Sequence, residues 1–432
     1  MDDALAAERS RHLRRAVIAS AVGTAIEWYD FFLYGVAAAL VFPAAFFPES
    51  DPYTGELLSF STYFVGFLSR PIGAAIFGHY GDRIGRKASL IATLVLMGVA
   101  TAGIGLVPGY ASIGIWGAVL LTIARVLQGI AVGGEWGGSV LLAAEWAARG
   151  NRGFAASWPQ WGAPAGLLLA NAAVSLTTYA TGDADFADWG WRLPFLASFL
   201  LVAIGFWIRV GIHEPPGFRR MLAEGKVERA PVVEVLRQNW REVVLTALLR
   251  TGQQAPFYIF TVYVLAYGTG VLHHERSFML NSVLVAAAIS MVAIPLWGHL
   301  SDRISRRKLV GAGCVLMVVW PFAYFQLLDT GSMALAFVAI LVAQPLHDMQ
   351  YAPQAAVIAE SFPARLRYSG SSLGYQLASV TAGGPAPLIA VWLMQETGSP
   401  LAIAGYMSGC ALISLIALAL LPDRQSRDFD AE

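Results

Sequence analysis

Long apolar stretches alternate with short polar ones along the whole chain. With about 20 apolar residues taken as the length that crosses a bilayer, such stretches fall at roughly 16–42, 59–80, 88–107, 112–142, 154–178, 192–212, 242–270, 278–299, 309–328, 332–357, 370–394 and 400–421. They predict an all-α integral membrane protein with twelve transmembrane helices. The longest polar connection contains EPPGFRRMLAEGKVERAP and divides six helices from six. The expected organisation is therefore an N-terminal six-helix bundle over 1–212, a central linker over 213–241 and a C-terminal six-helix bundle over 242–432. The opening MDDALAAERSRHLRR leads into a run longer than a signal-peptide core, without a small-residue cleavage pattern, so it reads as the approach to a retained first helix.

Charge gives the orientation. Lys and Arg concentrate at the N-terminus, in the even-numbered connections, in the central linker and after the last helix; Arg70, Arg125 and Arg250 lie inside spans, and Arg192 and Arg276 lie on the opposite side. That opposite side instead carries acids such as Glu49, Asp51, Asp183, Asp185 and Asp188. Since positive connections stay inside, both termini are expected to be cytoplasmic, in a multi-pass protein of the plasma (inner) membrane.

Composition agrees and removes other classes. The 432 residues are 56% hydrophobic and 13% charged, against about 45–50% and 25% in soluble domains. Net charge is zero, so nothing points to nucleic acid. Cys314 and Cys410 sit in apolar runs, where they read as small core residues. His273, His274 and Glu275 lie in a short external connection without further ligand spacing, so no metal site is expected. No HExxH, Walker, GxSxG or dinucleotide pattern stands in a suitable context, and an enzyme is not expected.

The chain repeats itself. GHYGDRIGRK (Gly78 to Lys87) returns as GHLSDRISRRK (Gly298 to Lys308), and AEWAARGNR (Ala144 to Arg152) is answered by AESFPARLR (Ala359 to Arg367). Two matches at nearly the same offset argue for duplicated halves. Asp82 and Asp302, with the adjacent Arg83 and Arg303 and with Glu145 and Glu360 of the second pair, can fasten helix ends in one conformation through ion pairs or by accepting from the start of another helix.

These turns, together with EWYDFFLYG, RVLQGIAVGGEWGG, GWRLPF and RYSGSSLGYQ, resemble the metabolite:proton symporters of the major facilitator superfamily. The loop signature G-x-x-x-D-[RK]-x-G-[RK]-[RK] is complete in the first copy, whereas Ser305 replaces its second Gly in the second. LLR at Arg250 and LHDM around His347 and Asp348 are similar to the shikimate-permease branch. The resemblance implies two pseudo-symmetric six-helix bundles and transport by alternating access. It also places Asp30 where related sugar symporters carry a proton-coupling acid.

An acid at the centre of a membrane helix costs roughly 2.5–3.5 kcal/mol on insertion scales, so the few polar residues within spans are the candidates for function. Glu27 and Asp30 share a face, with Tyr34 one turn on; Arg125, Gln128 and Glu135 form a stripe on helix 4 beside a run of glycines. Asp30, Glu27, Arg125 and Glu135 are the expected proton-coupling groups, with Arg125 as the direct partner of Asp30. Arg250 with Gln253 and Gln254 makes a face suited to a carboxylate. Gln128, Gln160, Trp161, Asn171, His347, Tyr351, Gln354 and Tyr34 complete the expected substrate site, and Asp348 falls on a different face from His347. Arg70 in SRPIG reads as structural. The expected activity is proton-coupled import of a small organic anion, a cyclic or hydroxylated monocarboxylate such as shikimate. A dicarboxylate, a zwitterion such as proline or betaine, or export of drugs or metabolites are the alternatives, and a membrane enzyme or sensor is the remote one. No cofactor is expected beyond the coupling proton, and no partner beyond the organic acid, H+ and lipid, for a monomer.

Overall fold

The computed structural model describes residues 2–425. Twelve long helical segments follow one another: α1 Asp2–Leu40, α2 Pro52–Ile84, α3 Arg86–Leu106, α4 Trp116–Trp146, α5 Arg152–Thr181 and α6 Arg192–Val210. Then come α7, which runs Trp240–Tyr258 and through a π turn at Ile259–Tyr263 into Val264–Gly270, α8 Arg276–Arg303, α9 Arg306–Leu328 and α10 Met333–Glu360. The series ends with α11, which runs Arg367–Ala378, a π turn at Ser379–Gly383 and Ala386–Thr397, and with α12 Pro400–Leu420. The second π turn has a local cause: Pro385 follows it, and its ring, lacking an N–H, frees the Thr381 carbonyl four residues back, inside that turn.

Among the described residues nine of these segments are long and apolar enough to span a membrane; α2, α5 and α7 fall short. The reason is visible in what they bury. Ser59, Thr62, Ser69 and Arg70 on α2, Ser157 and Gln160 on α5, and Thr246, Arg250, Gln253 and Gln254 on α7 are all inside the protein. These helices trade lipid-facing hydrophobicity for polar groups turned inward, which is where a membrane protein can keep them. The outer faces are apolar, with Leu176, Val292 and Trp207 more than two-thirds exposed.

Packing repeats with a shift of six. In the first set α1 lies on α5 and α6, α2 on α4, and α3 on α4 and α6; in the second, α7 lies on α11 and α12, α8 on α10, and α9 on α10 and α12. Between the sets α5 meets α8 and α10, while α11 meets α2 and α4. Within a set the backbones touch. A Cβ on Gly133 of α4 would stand 2.1 Å from the carbonyl oxygen of Arg70 on α2, so only glycine permits this approach.

The end that gathers the basic connections is shut. Asp82, at the end of α2, accepts from the amides of Tyr368 (3.1 Å) and Ser369 (2.9 Å) at the start of α11. Asp302, at the end of α8, accepts from Gly153 and Phe154 (2.8 Å each) at the start of α5. Each carboxylate thus caps a helix of the opposite set, where the unpaired amides and the helix dipole favour negative charge. Arg86 holds Asp82 at 3.1 Å and Glu145 at 3.3 Å, and Glu145 also lies 3.6 Å from Arg367 on α11. Arg306 holds Asp302 at 2.6 Å and Glu360 at 2.8 Å, with Arg152 of α5 in electrostatic reach of Glu360.

The sequence expectation is corrected in one respect: Arg83 and Arg303 are exposed, and Arg83 meets His79, at 3.2 Å, rather than an acid among the described residues. The arginine one turn beyond each Asp is the partner, because i and i+4 share a helix face whereas adjacent residues diverge. The polar chain after each sixth helix returns to the same corner: Glu214 accepts from Arg86 and Lys87 at the start of α3, and Gln425 accepts from Arg306 at the start of α9. Two short helices, Pro216–Ala223 and Pro231–Gln238, lie between α6 and α7, and Phe218 packs 4.9 Å beneath the Arg86 guanidinium.

Two glycines separate closure from folding. A Cβ on Gly81 would stand 1.9 Å from the Tyr368 ring, across the sets, so Gly81→Ala should open the basic end. Cysteines introduced there should become more reactive, with little loss of thermal stability. Gly133→Ala, which clashes inside one set, should instead lower the unfolding temperature, in line with about 1–3 kcal/mol for overpacking. Equal effects of the two on both measurements would contradict this division.

Candidate functional site

The centre of the first set is a cavity of about 240 Å³ lined by Glu27, Asp30, Phe31, Arg70, Arg125 and Gln128 among others. All six are buried. Asp30 accepts from the Thr101 hydroxyl on α3 (2.7 Å) through Oδ2, while its Oδ1 has no protein partner. Thr101 in turn accepts from Gln128 (2.6 Å), whose carbonyl oxygen accepts from Arg125 (3.1 Å). The expected direct pair of Arg125 with Asp30 is therefore replaced by a relay, Arg125 to Gln128 to Thr101 to Asp30. Arg125 is held instead against aromatic faces, 4.3 Å from the Tyr34 ring centre and 4.8 Å from that of Tyr63, and cation–π contact of this kind gains strength away from water. Tyr34 keeps its orientation through a 2.6 Å bond with Thr62.

Arg70 reads as structural in the sequence, yet it faces this cavity. It lies 4.5 Å from the Phe67 ring centre and 4.9 Å from that of Phe31. Glu27 Oε2, on the same cavity, has no hydrogen-bond partner. Two acids and two arginines thus surround one small space, and among the described residues no ion pair joins them.

Glu135, expected to couple protons, is removed from that role by its surroundings. It is ion-paired with Arg209 of α6 and accepts from Thr93 (2.8 Å) and Ser139 (3.0 Å). A carboxylate with a permanent counter-ion and saturated oxygens fastens α3, α4 and α6, and it does not line the cavity.

In the second set Arg250 is wholly buried. It bonds Gln254, lies over the ring of Tyr375 and leaves Nε and Nη1 without partners. Tyr375 stacks at 3.5 Å on Trp136 of α4, so the guanidinium sits on an aromatic pile that crosses the sets. Gln253 bonds His347 at 2.9 Å, and His347 bonds Asp348 at 3.0 Å. Gln354 donates to the Leu249 carbonyl at 3.1 Å. Unpaired atoms accumulate here: Gln253 Oε1, Gln254 Nε2, Tyr258 Oη and Gln354 Oε1 join those of Arg250. Tyr258 is the junction, in electrostatic reach of Arg250, Arg70, Arg125 and Glu27. Its ring lies 5.7 Å from Phe67 and 6.1 Å from Phe31, and Phe257 lies 5.5 Å from Trp28. This aromatic seam separates the first cavity from a second, of about 290 Å³, lined by Phe257, Ser290, Gln344, Asp348 and Tyr351. Neither leaves room for more than about one water molecule, as befits a closed centre.

Three expected substrate residues line neither of these two cavities. Gln160 is spent on joining the sets, accepting from Trp136 (2.6 Å) and donating to the Tyr351 carbonyl (3.1 Å). Trp161 is half-buried beside Ile294, Tyr351 and Ala352. Asn171 returns its amide to the Leu167 carbonyl of its own helix. Asp348, in contrast, is on a cavity and bonded to His347, since the short aspartate can reach back to its neighbour. Thr101, Tyr258 and Tyr375 escape sequence reasoning. A single hydroxyl in an apolar run carries no signal, because its own helix can satisfy it.

With this geometry in view, residues 58–384 match the family pattern of the Major Facilitator Superfamily. The chain is 40% identical over 411 residues to the inner membrane metabolite transport protein YhjE of Escherichia coli, covering 94% of this chain and 93% of that one. It is likewise 40% identical over 416 residues, 95% of each chain, to the shikimate transporter of the same organism. The proline/betaine transporter of Escherichia coli is 32% identical over 96% of this chain and 84% of its own. Among solved structures, the proton:xylose symporter XylE bound to 6-bromo-6-deoxy-D-glucose superposes with a TM-score of 0.80 at 18% identity, covering 96% of this chain and 97% of that one.

The two kinds of buried acid should separate in a stability measurement. Arg209→Met leaves Glu135 charged and unpaired, a loss of about 3–5 kcal/mol for a broken buried pair, and should lower the unfolding temperature sharply. Glu27→Gln removes a carboxylate whose Oε2 is unpartnered and should leave that temperature unchanged or raise it. The reverse order would contradict the assignment of Glu135 as structural.

Proposed function

Because the chain belongs to the major facilitator superfamily, we propose that it is a proton-coupled symporter that imports a small organic anion by alternating access. The two moving bodies are the six-helix sets 1–212 and 242–432, joined by the linker 213–241. The basic end faces the cytoplasm of a cell whose inner membrane the protein spans, in keeping with the positive connections and with the name of the YhjE relative. The closed basic end then corresponds to the state shut toward the cytoplasm.

One observation carries the anion assignment: Arg250 is buried with Nε and Nη1 unbonded, beside the free amide of Gln254 and the free hydroxyl of Tyr258. Each buried polar atom without a partner costs about 1–3 kcal/mol. A carboxylate received in the two-pronged fork of the guanidinium would relieve several at once. The remaining acceptors, Gln253 Oε1 and Gln354 Oε1, suit hydroxyls on the same ligand, and the Phe257, Tyr258 and Tyr375 rings suit a compact ring. A cyclic hydroxylated monocarboxylate resembling shikimate fits these demands, in line with the name of one relative.

The proton enters in the first set. Asp30 has one free oxygen on the cavity and a single hydroxyl donor on the other. Protonation cancels a charge that Arg125, reached only through two uncharged side chains, compensates incompletely. The neutral acid releases the relay, and substrate and proton together permit the sets to rock. Loading both is then the condition for breaking the Asp82 and Asp302 caps at the far end.

Asp30→Asn should accordingly abolish uphill accumulation of shikimate in proteoliposomes while sparing part of its downhill exchange. Unimpaired accumulation with normal pH dependence would remove Asp30 from coupling. Arg250→Lys keeps the charge but loses the planar fork, and should weaken shikimate binding at least about tenfold, the loss of one charge-assisted bond of about 1.5–3 kcal/mol. Normal binding by that variant, or a wild type that prefers a betaine to the free acid, would replace the carboxylate assignment with a zwitterion.

A further inference from the structure

His347 and Asp348 are not used in the mechanism above, and their chemistry is unusual for a helix centre. Both are buried in α10. Asp348 Oδ1 meets His347 Nδ1 at 3.0 Å, and Asp348 Oδ2 is unpartnered on the second cavity, with Ser290 Oγ, also unpartnered, on the same cavity. On the other side of the ring His347 Nε2 meets the Gln253 amide nitrogen at 2.9 Å, leaving Gln253 Oε1 without a bond. The three side chains form one line from the cavity, Asp348 to His347 to Gln253, ending one turn of α7 from Arg250.

Donor and acceptor counting gives that line two states. A neutral imidazole with its proton on Nδ1 donates to Asp348 and accepts from the Gln253 amide NH2, as these contacts require. A doubly protonated imidazole donates from both nitrogens, so Gln253 must turn its amide and accept through Oε1, the atom now unbonded. Its NH2 then points where Oε1 did. We propose that His347 and Asp348 form a second proton-binding site, in the half opposite Asp30, whose protonation decides whether Gln253 offers the transport site an acceptor or a donor. A donor beside Arg250 favours an anion and an acceptor opposes it, so the device links proton occupancy to anion affinity inside the second set. The inference rests on the transport reading above.

The surroundings leave this pair in control of its own charge. Tyr351 on α10 is in electrostatic reach of Asp348. From α7 the facing groups are Gln253, Phe257 and Thr261; from α8, Ser290; from α10 itself, Gln344; and from α5, the apolar Ala163, Pro164 and Leu167, so none of these neighbours is charged. Beyond His347, Ser290 and Tyr351 reach Asp348, and neither carries a permanent charge.

The test is a pH titration of the full chain in lipid nanodiscs by NMR of isotope-labelled histidine, with His347→Gln identifying the resonance. The His347 ring should pass between neutral and doubly protonated forms as the pH is lowered, the passage should be absent in Asp348→Asn, and Gln253→Met should displace it. A ring that keeps one form throughout, or one that titrates identically in either variant, overturns the proposal. No substrate enters the measurement, so its outcome does not depend on the shikimate assignment.

Discussion

A charge in hydrocarbon must have a counter-ion, a proton or water, and the placement of nearly every polar residue in this bundle follows from that constraint. Where the need is met permanently, the group holds helices together. Glu135 with Arg209 does this inside the first set, and Arg86 and Arg306 do it at the basic end. Where the need is left open, as at Glu27, Asp30, Arg250 and Asp348, the groups collect at the centre, between sets that touch each other mainly through aromatic rings. In the proposed mechanism function resides in the second class, because only an unmet requirement can be met by something that comes and goes.

The same principle shows how closure at the basic end would be reversed in the proposed cycle. Asp82 and Asp302 each cap a helix of the opposite set. Their ion pairs with Arg86 and Arg306 run within their own set. Separating the sets would therefore break these amide contacts, which water can replace, and the Glu145–Arg367 pair, while Asp82 and Asp302 keep their own counter-ions. Gly81 and Gly298 let the backbones come close enough for the caps to form: a Cβ on either would stand 1.9 and 2.5 Å, respectively, from the nearest atom of the facing set.

The fold is legible in the sequence because oil imposes a simple pattern. Span lengths, the clustering of Lys and Arg, and the repeat of Gly78–Lys87 at Gly298–Lys308 carry it on their own. The candidate site is legible only in part, and the errors share a cause. Sequence spacing tells which residues share a helix face, so it finds Glu27 with Asp30 and Arg250 with Gln254. It cannot tell what stands opposite. Glu135 looks free because Arg209 lies on another helix; Arg125 looks like the partner of Asp30 because Thr101, the intervening hydroxyl, is inconspicuous in an apolar run. Arg83 and Arg303 draw attention as neighbours in a motif, whereas the helical turn hands the task to Arg86 and Arg306.

In the proposed mechanism, substrate and proton together complete an interior that neither satisfies alone. The most direct test of this coupling is calorimetric titration of the purified protein with shikimate at neutral pH, in buffers of different ionisation enthalpy, which counts protons exchanged on binding. Net uptake of about one proton per bound anion is expected of the wild type. Binding of the same anion with no proton taken up would contradict the coupling.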